Sequence, residues 1–219
     1  MAEPSSSSEA RLRAALIAQA CHLHTSGLNP GTSGNLSVRW SSGFLITPSG
    51  CVYAELAPED VVWVHMDGSY DHRLEPSSEW RMHRDIYACR PDASAVVHTH
   101  APHCTALAIC QREIPPLHYM IAVSGGPTIR CAPYHTYGTE ALSQAAVAAL
   151  EGRNCCLLAN HGMVALGPDL RRAMWVAEET EALARQYLLT LPLGGPTLLS
   201  DEEIMRVVEK FSRYGPRTD

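Results

Sequence analysis

The run Asn35-Leu36-Ser37-Val38-Arg39-Trp40-Ser41-Ser42-Gly43-Phe44-Leu45-Ile46-Thr47 decides how this chain folds. Two β-type segments, Asn35–Arg39 and Gly43–Thr47, are parted by a Ser-Ser-Gly turn. A third, Val61–His65, follows the Pro48-Ser49-Gly50 turn and Pro58, as in a meander of strands. Upstream, Leu12, Leu16, Ala20 and Leu23 recur at helical spacing, with Gly27 placed to end the helix. Downstream, Ser78 is placed to cap a helix over Glu79–Arg90 that Pro91 stops, and Ala95–His100 reads as a buried strand. Helices over Pro102–Cys110 and Thr139–Leu150 flank a strand at Thr128–Cys131. A strand pair, Cys155–Ala159 and Met163–Leu166, brackets Asn160-His161-Gly162. A long helix follows Asp169, and Ser200 with Glu203 forms a capping box for the last one. Strands and helices intermingle without regular βαβ alternation. The expectation is an α/β domain over residues 10–219, built on a mostly antiparallel or mixed central sheet flanked by helices, behind a flexible Ser-rich leader at 1–9.

Composition narrows the function. With 219 residues, 46% hydrophobic and 18% charged, the chain is globular rather than disordered, collagen-like or coiled-coil. Its net charge of −6 provides no basic field for nucleic acid or anionic lipid, so a phosphate must be held locally. No stretch reaches the roughly 20 apolar residues that span a bilayer, and the polar leader lacks a cationic start, which points to the cytosol. Eight cysteines, with Cys155 and Cys156 adjacent and no Cys-x-x-Cys pair, read as reduced thiols rather than disulfides or a sulfur-rich zinc site. Phosphate-binding Gly-x-x-x-x-Gly-Lys-Ser, dinucleotide-binding Gly-x-Gly-x-x-Gly, the Gly-x-Ser-x-Gly elbow and the His-Glu-x-x-His helix are all missing.

The chemistry concentrates elsewhere. His98-Thr99-His100 ends an apolar strand, whose period of two places both imidazoles on one face. That pair is a metal clip, or equally two hydrogen-bonded core histidines. His161, between a buried run and Gly162, is the choice for the third ligand that a catalytic cation needs. The other histidines, His83, His103, His118 and His135 among them, are read as lying outside the site. Glu79 is a fourth ligand or general base, or else a helix-dipole partner in a first turn. The turns Thr32-Ser33-Gly34-Asn35, Thr47-Pro48-Ser49-Gly50 and Ser77-Ser78 offer the hydroxyls and free N–H groups that a phosphate needs; singly, each is also an ordinary loop.

Taken in order, Pro76-Ser77-Ser78-Glu79-Trp80, Val96-Val97-His98-Thr99-His100-Ala101, His118-Tyr119-Met120-Ile121-Ala122, Cys131-Ala132-Pro133-Tyr134 and Asn160-His161-Gly162 resemble the class II aldolase/ribulose-phosphate epimerase family. The likeness spans Thr32 to Tyr214 and is strongest to the branch that cleaves L-fuculose 1-phosphate. It implies one Zn2+ per subunit on His98, His100, His161 and Glu79, with Glu79 also the catalytic acid/base. It implies a ketose phosphate among Gly34, Asn35, Ser49, Gly50, Ser77 and Ser78. It further implies a homotetramer with active sites at subunit interfaces, Tyr119 of a neighbouring subunit as catalytic proton donor, and Tyr214 closing over the site. Tyr137 stands where the relatives carry Phe, at the aldehyde end of the pocket. The implied reaction is retro-aldol cleavage to dihydroxyacetone phosphate and a small aldehyde such as L-lactaldehyde. Alternatives are a ribulose-5-phosphate 4-epimerase, a 5-deoxy- or 5-methylthio-ribulose-1-phosphate aldolase, and a non-catalytic scaffold module. The only lysine is Lys210, in the final helix, which argues against a Schiff-base aldolase.

Overall fold

The Ser-Ser-Gly link turns as read. In the computed structural model, which describes residues 6–31 and 33–211, β1 (Asn35–Trp40) pairs antiparallel with β2 (Gly43–Ile46), and β2 with β3 (Val62–His65). The same sheet takes in β4 (Ala95–Thr99), β5 (Cys131–Ala132), β6 (Cys155–Leu158) and β7 (Gly162–Gly167). The strand order is β3-β2-β1-β4-β7-β6-β5. Among the described residues only β5 with β6 runs parallel, so the sheet is mixed and mostly antiparallel, as expected.

Helices cover both faces, which is why the strands are apolar on both sides. On β4, Ala95 and Val97 join a core with Leu16, Leu23, Leu107 and Val176, beneath α1 (Ser6–Thr25), α3 (Pro102–Ile109) and α5 (Leu170–Thr190). Val96 points the other way, into a core with Met82, Ile86, Leu142 and Ala146 from α2 (Trp80–Cys89) and α4 (Glu140–Ala149). Leu16 and Leu23 are fully buried; at about 2 kcal/mol for each such side chain, this face rather than helix propensity holds α1 in place. The last helix, α6 (Asp201–Phe211), adds Ile204 to the first core.

The helix starts test the capping expectations. Ser200 Oγ accepts from the Glu203 N–H at 3.2 Å, one half of the expected capping box, while the Glu203 carboxylate takes Arg206 at 2.8 Å instead; Asp169 caps the long helix, accepting from the Arg172 N–H at 2.7 Å. Ser78 does not cap α2. The Glu79 N–H is taken by Ser77 Oγ at 3.3 Å, and Glu79 itself holds the N-cap position, which frees its carboxylate to point away from the helix end. Helix α1 begins at Ser6, so Ser6–Glu9 are helical rather than leader; residues 1–5 lie outside the described residues. The strand expected at Thr128–Cys131 is reduced to β5, because Ile129 bridges back to Ile114.

Candidate active site

Strand β4 carries His98 on the α2 face, directly opposite Asn35 in the β1 register. His100 lies just past the end of the same strand. His161 comes from the β6–β7 turn, which Asn160 makes at φ +53. A Cβ at Gly162 would sit 2.5 Å from the Thr99 carbonyl oxygen and 2.9 Å from the His100 ring, so only glycine lets this turn close on the end of β4. The three ring centroids are 4.8, 4.9 and 5.1 Å apart, and one nitrogen from each lies within 4.8 Å of the others. Glu79 completes the group: Oε2 stands 3.0 Å from His98 Nε2, and Oε1 3.4 Å from His161 Nε2.

The electrostatics fit a cation. Glu79 Oε1, His98 Nε2 and His100 Nε2 are buried without a hydrogen-bond partner, and each such atom costs about 1–3 kcal/mol. The Met163 carbonyl oxygen can only accept, so His98 Nδ1, 2.9 Å away, carries a proton and Nε2 is the nitrogen turned toward the cluster. Burial and the neighbouring imidazoles hold His100 and His161 down to about 4, so both are neutral at physiological pH. Burial acts to raise Glu79, but His98, His161 and the Asn35 amide outweigh it and keep the carboxyl well below its ordinary range. Burial also acts to lower His98, and the adjacent carboxylate reverses that. Three nitrogen donors and a carboxylate gathered at one point are groups that could hold a divalent cation.

A cavity of about 300 Å³ opens beside the cluster, lined by Ser33, Ser78, Glu79, His100, Tyr134, His135, Tyr137, Asn160 and His161. Of the residues expected around a phosphate, Ser78 therefore lines it, and Asn35 donates to Glu79 Oε2 at 3.0 Å. The Ser49-Gly50 turn is tied alongside by the Pro48–Pro76 bridge, the Ser49 N–H to Glu75 and the Ser77 N–H to Thr47. Gly34 permits a close approach, since a Cβ there would meet the His98 carbonyl oxygen at 2.8 Å and the Asn29 side chain at 2.9 Å. Tyr119 is elsewhere in the chain. It is half exposed, packs on His118, and faces a separate cleft of about 930 Å³ with Trp175 and Glu179. Tyr214 lies outside the described residues. Sequence reasoning passed over His135, which lines the cavity, and Asn29, whose Oδ1 accepts the His100 N–H at 3.1 Å. It also passed over His83, whose Nε2 meets Asn35 Oδ1 at 2.6 Å; only its place one helical turn after Glu79 marks it in the sequence.

Known proteins share this sequence and fold. Residues 14–188 match the model of the Class II Aldolase and Adducin N-terminal domain. The chain is 52% identical over 204 residues to a 5-methylthioribulose-1-phosphate/5-deoxyribulose-1-phosphate aldolase of Rhodospirillum rubrum, covering 93% of this chain and 92% of that one. It is 50% identical over 194 residues to an L-fuculose phosphate aldolase of Escherichia coli strain K12, covering 88% and 90%. A solved structure of an L-fuculose 1-phosphate aldolase superposes with a TM-score of 0.91 at 39% identity, covering 96% and 98%. By the family match and by both relatives, this chain belongs to the class II aldolase family, whose members depend on a metal, and is an aldolase.

Proposed function

We propose that this enzyme cleaves a (deoxy)ketose 1-phosphate by a zinc-dependent retro-aldol reaction, giving dihydroxyacetone phosphate and a small aldehyde. The observation that carries the reading is the convergence of three unpartnered buried atoms, Glu79 Oε1, His98 Nε2 and His100 Nε2, beside His161. Those residues would hold the ion, and when bound it supplies Lewis-acid stabilisation of the electron pair released at carbon. No lysine stands near to supply that stabilisation as an imine; Lys210 is exposed on α6.

Cleavage breaks the C3–C4 bond. The O4 proton leaves to a base, C4 becomes the aldehyde carbon, and the electron pair remains on C3. In synthesis the ionised Glu79, buried beside the cavity, takes the proton from C3, and cleavage runs the same transfer backwards, the carboxyl in its protonated form returning that proton to C3. The proton at O4 is assigned to Tyr119 of a second copy of this chain. Its half-exposed position away from its own cavity supports a site completed between subunits, as in the homotetramer that the resemblance implies. Gly34, Asn35, Ser49, Gly50, Ser77 and Ser78 receive the phosphate, and Tyr137 and Tyr214 the aldehyde end. The chain from α1 onward acts as one domain in the cytosol, a placement supported by eight free cysteines. No described helix is long and apolar enough to cross a membrane.

Two substrates are favoured by the relatives, L-fuculose 1-phosphate and 5-methylthio- or 5-deoxy-ribulose 1-phosphate. Tyr137 adds a hydroxyl at the pocket rim, and kcat/KM across these ketose phosphates, read as release of dihydroxyacetone phosphate, separates them. Replacing Glu79→Gln is expected to lower kcat about 10³-fold on the best of them with the fold retained. A variant turning over at the wild-type rate overturns the assignment of Glu79.

A further inference from the structure

We propose that His83 is a positioning residue for the acid/base: with Asn35, Ser37 and Tyr87 it forms a one-way hydrogen-bond relay that engages Glu79 Oε2 and leaves Oε1 free for chemistry. The inference rests on the reading of Glu79 given above.

The relay begins in the sequence. Asn35, Ser37 and Arg39 fall on one face of β1, and Glu79, His83 and Tyr87 recur every fourth residue from the start of α2. Two strand residues advance about 6.7 Å and four helical residues about 6 Å, so the two polar rows keep step where α2 lies across β1. Ser37 Oγ meets His83 Nδ1 at 2.7 Å and the Tyr87 hydroxyl at 2.8 Å. Arg39 closes the far end, its guanidinium 4.7 Å over the Tyr87 ring and donating to the Tyr87 carbonyl oxygen at 2.8 Å.

Chemistry fixes the direction of every bond. An ionised carboxylate only accepts, so the Asn35 group 3.0 Å from Glu79 Oε2 is its NH₂. The Asn35 amide oxygen then faces His83 Nε2 at 2.6 Å and also only accepts, so Nε2 carries the proton. The His83 ring is fully buried with no carboxylate partner, and burial keeps it neutral, held down to about 3. Its Nδ1 is therefore bare and accepts from Ser37 Oγ, whose own lone pair accepts from Tyr87. Reversing one link would set two acceptors or two donors against each other. The Asn35 amide is thereby locked with its NH₂ toward Glu79 and cannot turn its oxygen onto the carboxylate. Oε2 is occupied, and Oε1 is the oxygen left without a partner. A bare sealing role for α2 on β1 would need only that each polar atom be satisfied; it would not need the relay to end on the one carboxylate of the site.

Histidine imidazole ¹⁵N spectra of the metal-free wild-type protein at pH 7 test the relay without any variant. His83 is expected as the neutral Nε2–H tautomer, and an Nδ1–H or doubly protonated ring overturns the proposal. Kinetics test its consequence. His83→Leu removes the donor to Asn35 and is expected to lower kcat about tenfold to a hundredfold, the range for outer partners of a metal site, with KM and bound metal within threefold of wild type. His83→Gln, whose amide nitrogen can donate to Asn35, is expected to recover most of that loss. Wild-type kcat in His83→Leu, or equal losses in Leu and Gln variants, overturns the relay. Should Glu79→Gln be inactive while His83→Leu is fully active, only the relay falls; an active Glu79→Gln sinks the underlying reading.

Discussion

His83 and His98 are both fully buried, and both belong to the surroundings of Glu79, yet they are finished differently. Both ring nitrogens of His83 have partners, at 2.6 and 2.7 Å. His98 has one filled by the Met163 carbonyl oxygen, and its other, Nε2, has no hydrogen-bond partner. A fold that satisfies one buried imidazole completely and leaves another, with His100 and Glu79, aimed at a common point has separated two jobs. On the readings proposed above, the satisfied ring would orient a carboxylate and the others would hold a cation. Buried polar atoms without partners are costly enough that three together mark where a ligand belongs.

Metal removal should separate the two regions most sharply. A cation bound at a thousand times its Kd stabilises the folded chain by about 4 kcal/mol, which for a chain of this size is roughly 8–16 °C in Tm. Chelation is expected to produce that fall and to abolish turnover, whereas His161→Ala should show almost no chelator shift. Equal shifts in both proteins would erase the distinction between bare and satisfied histidines. A smaller effect isolates His83. Its ring stays neutral in the folded chain to about pH 3, against 6.5 for an ordinary imidazole. The unfolded chain thus binds a proton below about pH 6.5 that the folded chain refuses, so stability falls as pH drops through that window. Urea unfolding of the metal-free proteins between pH 7 and 4 should show a shallower loss for His83→Gln than for wild type. Equal slopes would mean that burial of this ring carries no such penalty.

Legibility in the sequence followed the strength of local rules. The strands were readable because alternation and Ser/Gly/Pro turns bracket them, and the metal group because a His-x-His on a strand fixes two rings on one face. The role of Ser78 at α2 was misread, since nothing local tells which of two adjacent serines turns its hydroxyl to the Glu79 N–H; Ser77 does. The relay was hidden for another reason. Its spacing of four on α2 and two on β1 means something only once the helix is known to cross that strand, a tertiary fact. Asn29 escaped similarly, because its partner is the His100 backbone, 71 residues away. Tyr119 faces a cleft distinct from the cavity beside Glu79, a separation that no local sequence rule signals.

The claim beneath all of this is that His98, His100 and His161 hold one divalent ion. Elemental analysis of the purified chain after zinc loading and dialysis measures it directly, alongside a variant with all three histidines changed to alanine. The account predicts one ion per wild-type chain and almost none in the variant. A wild-type chain that keeps no ion, or a variant that keeps as much, would contradict it.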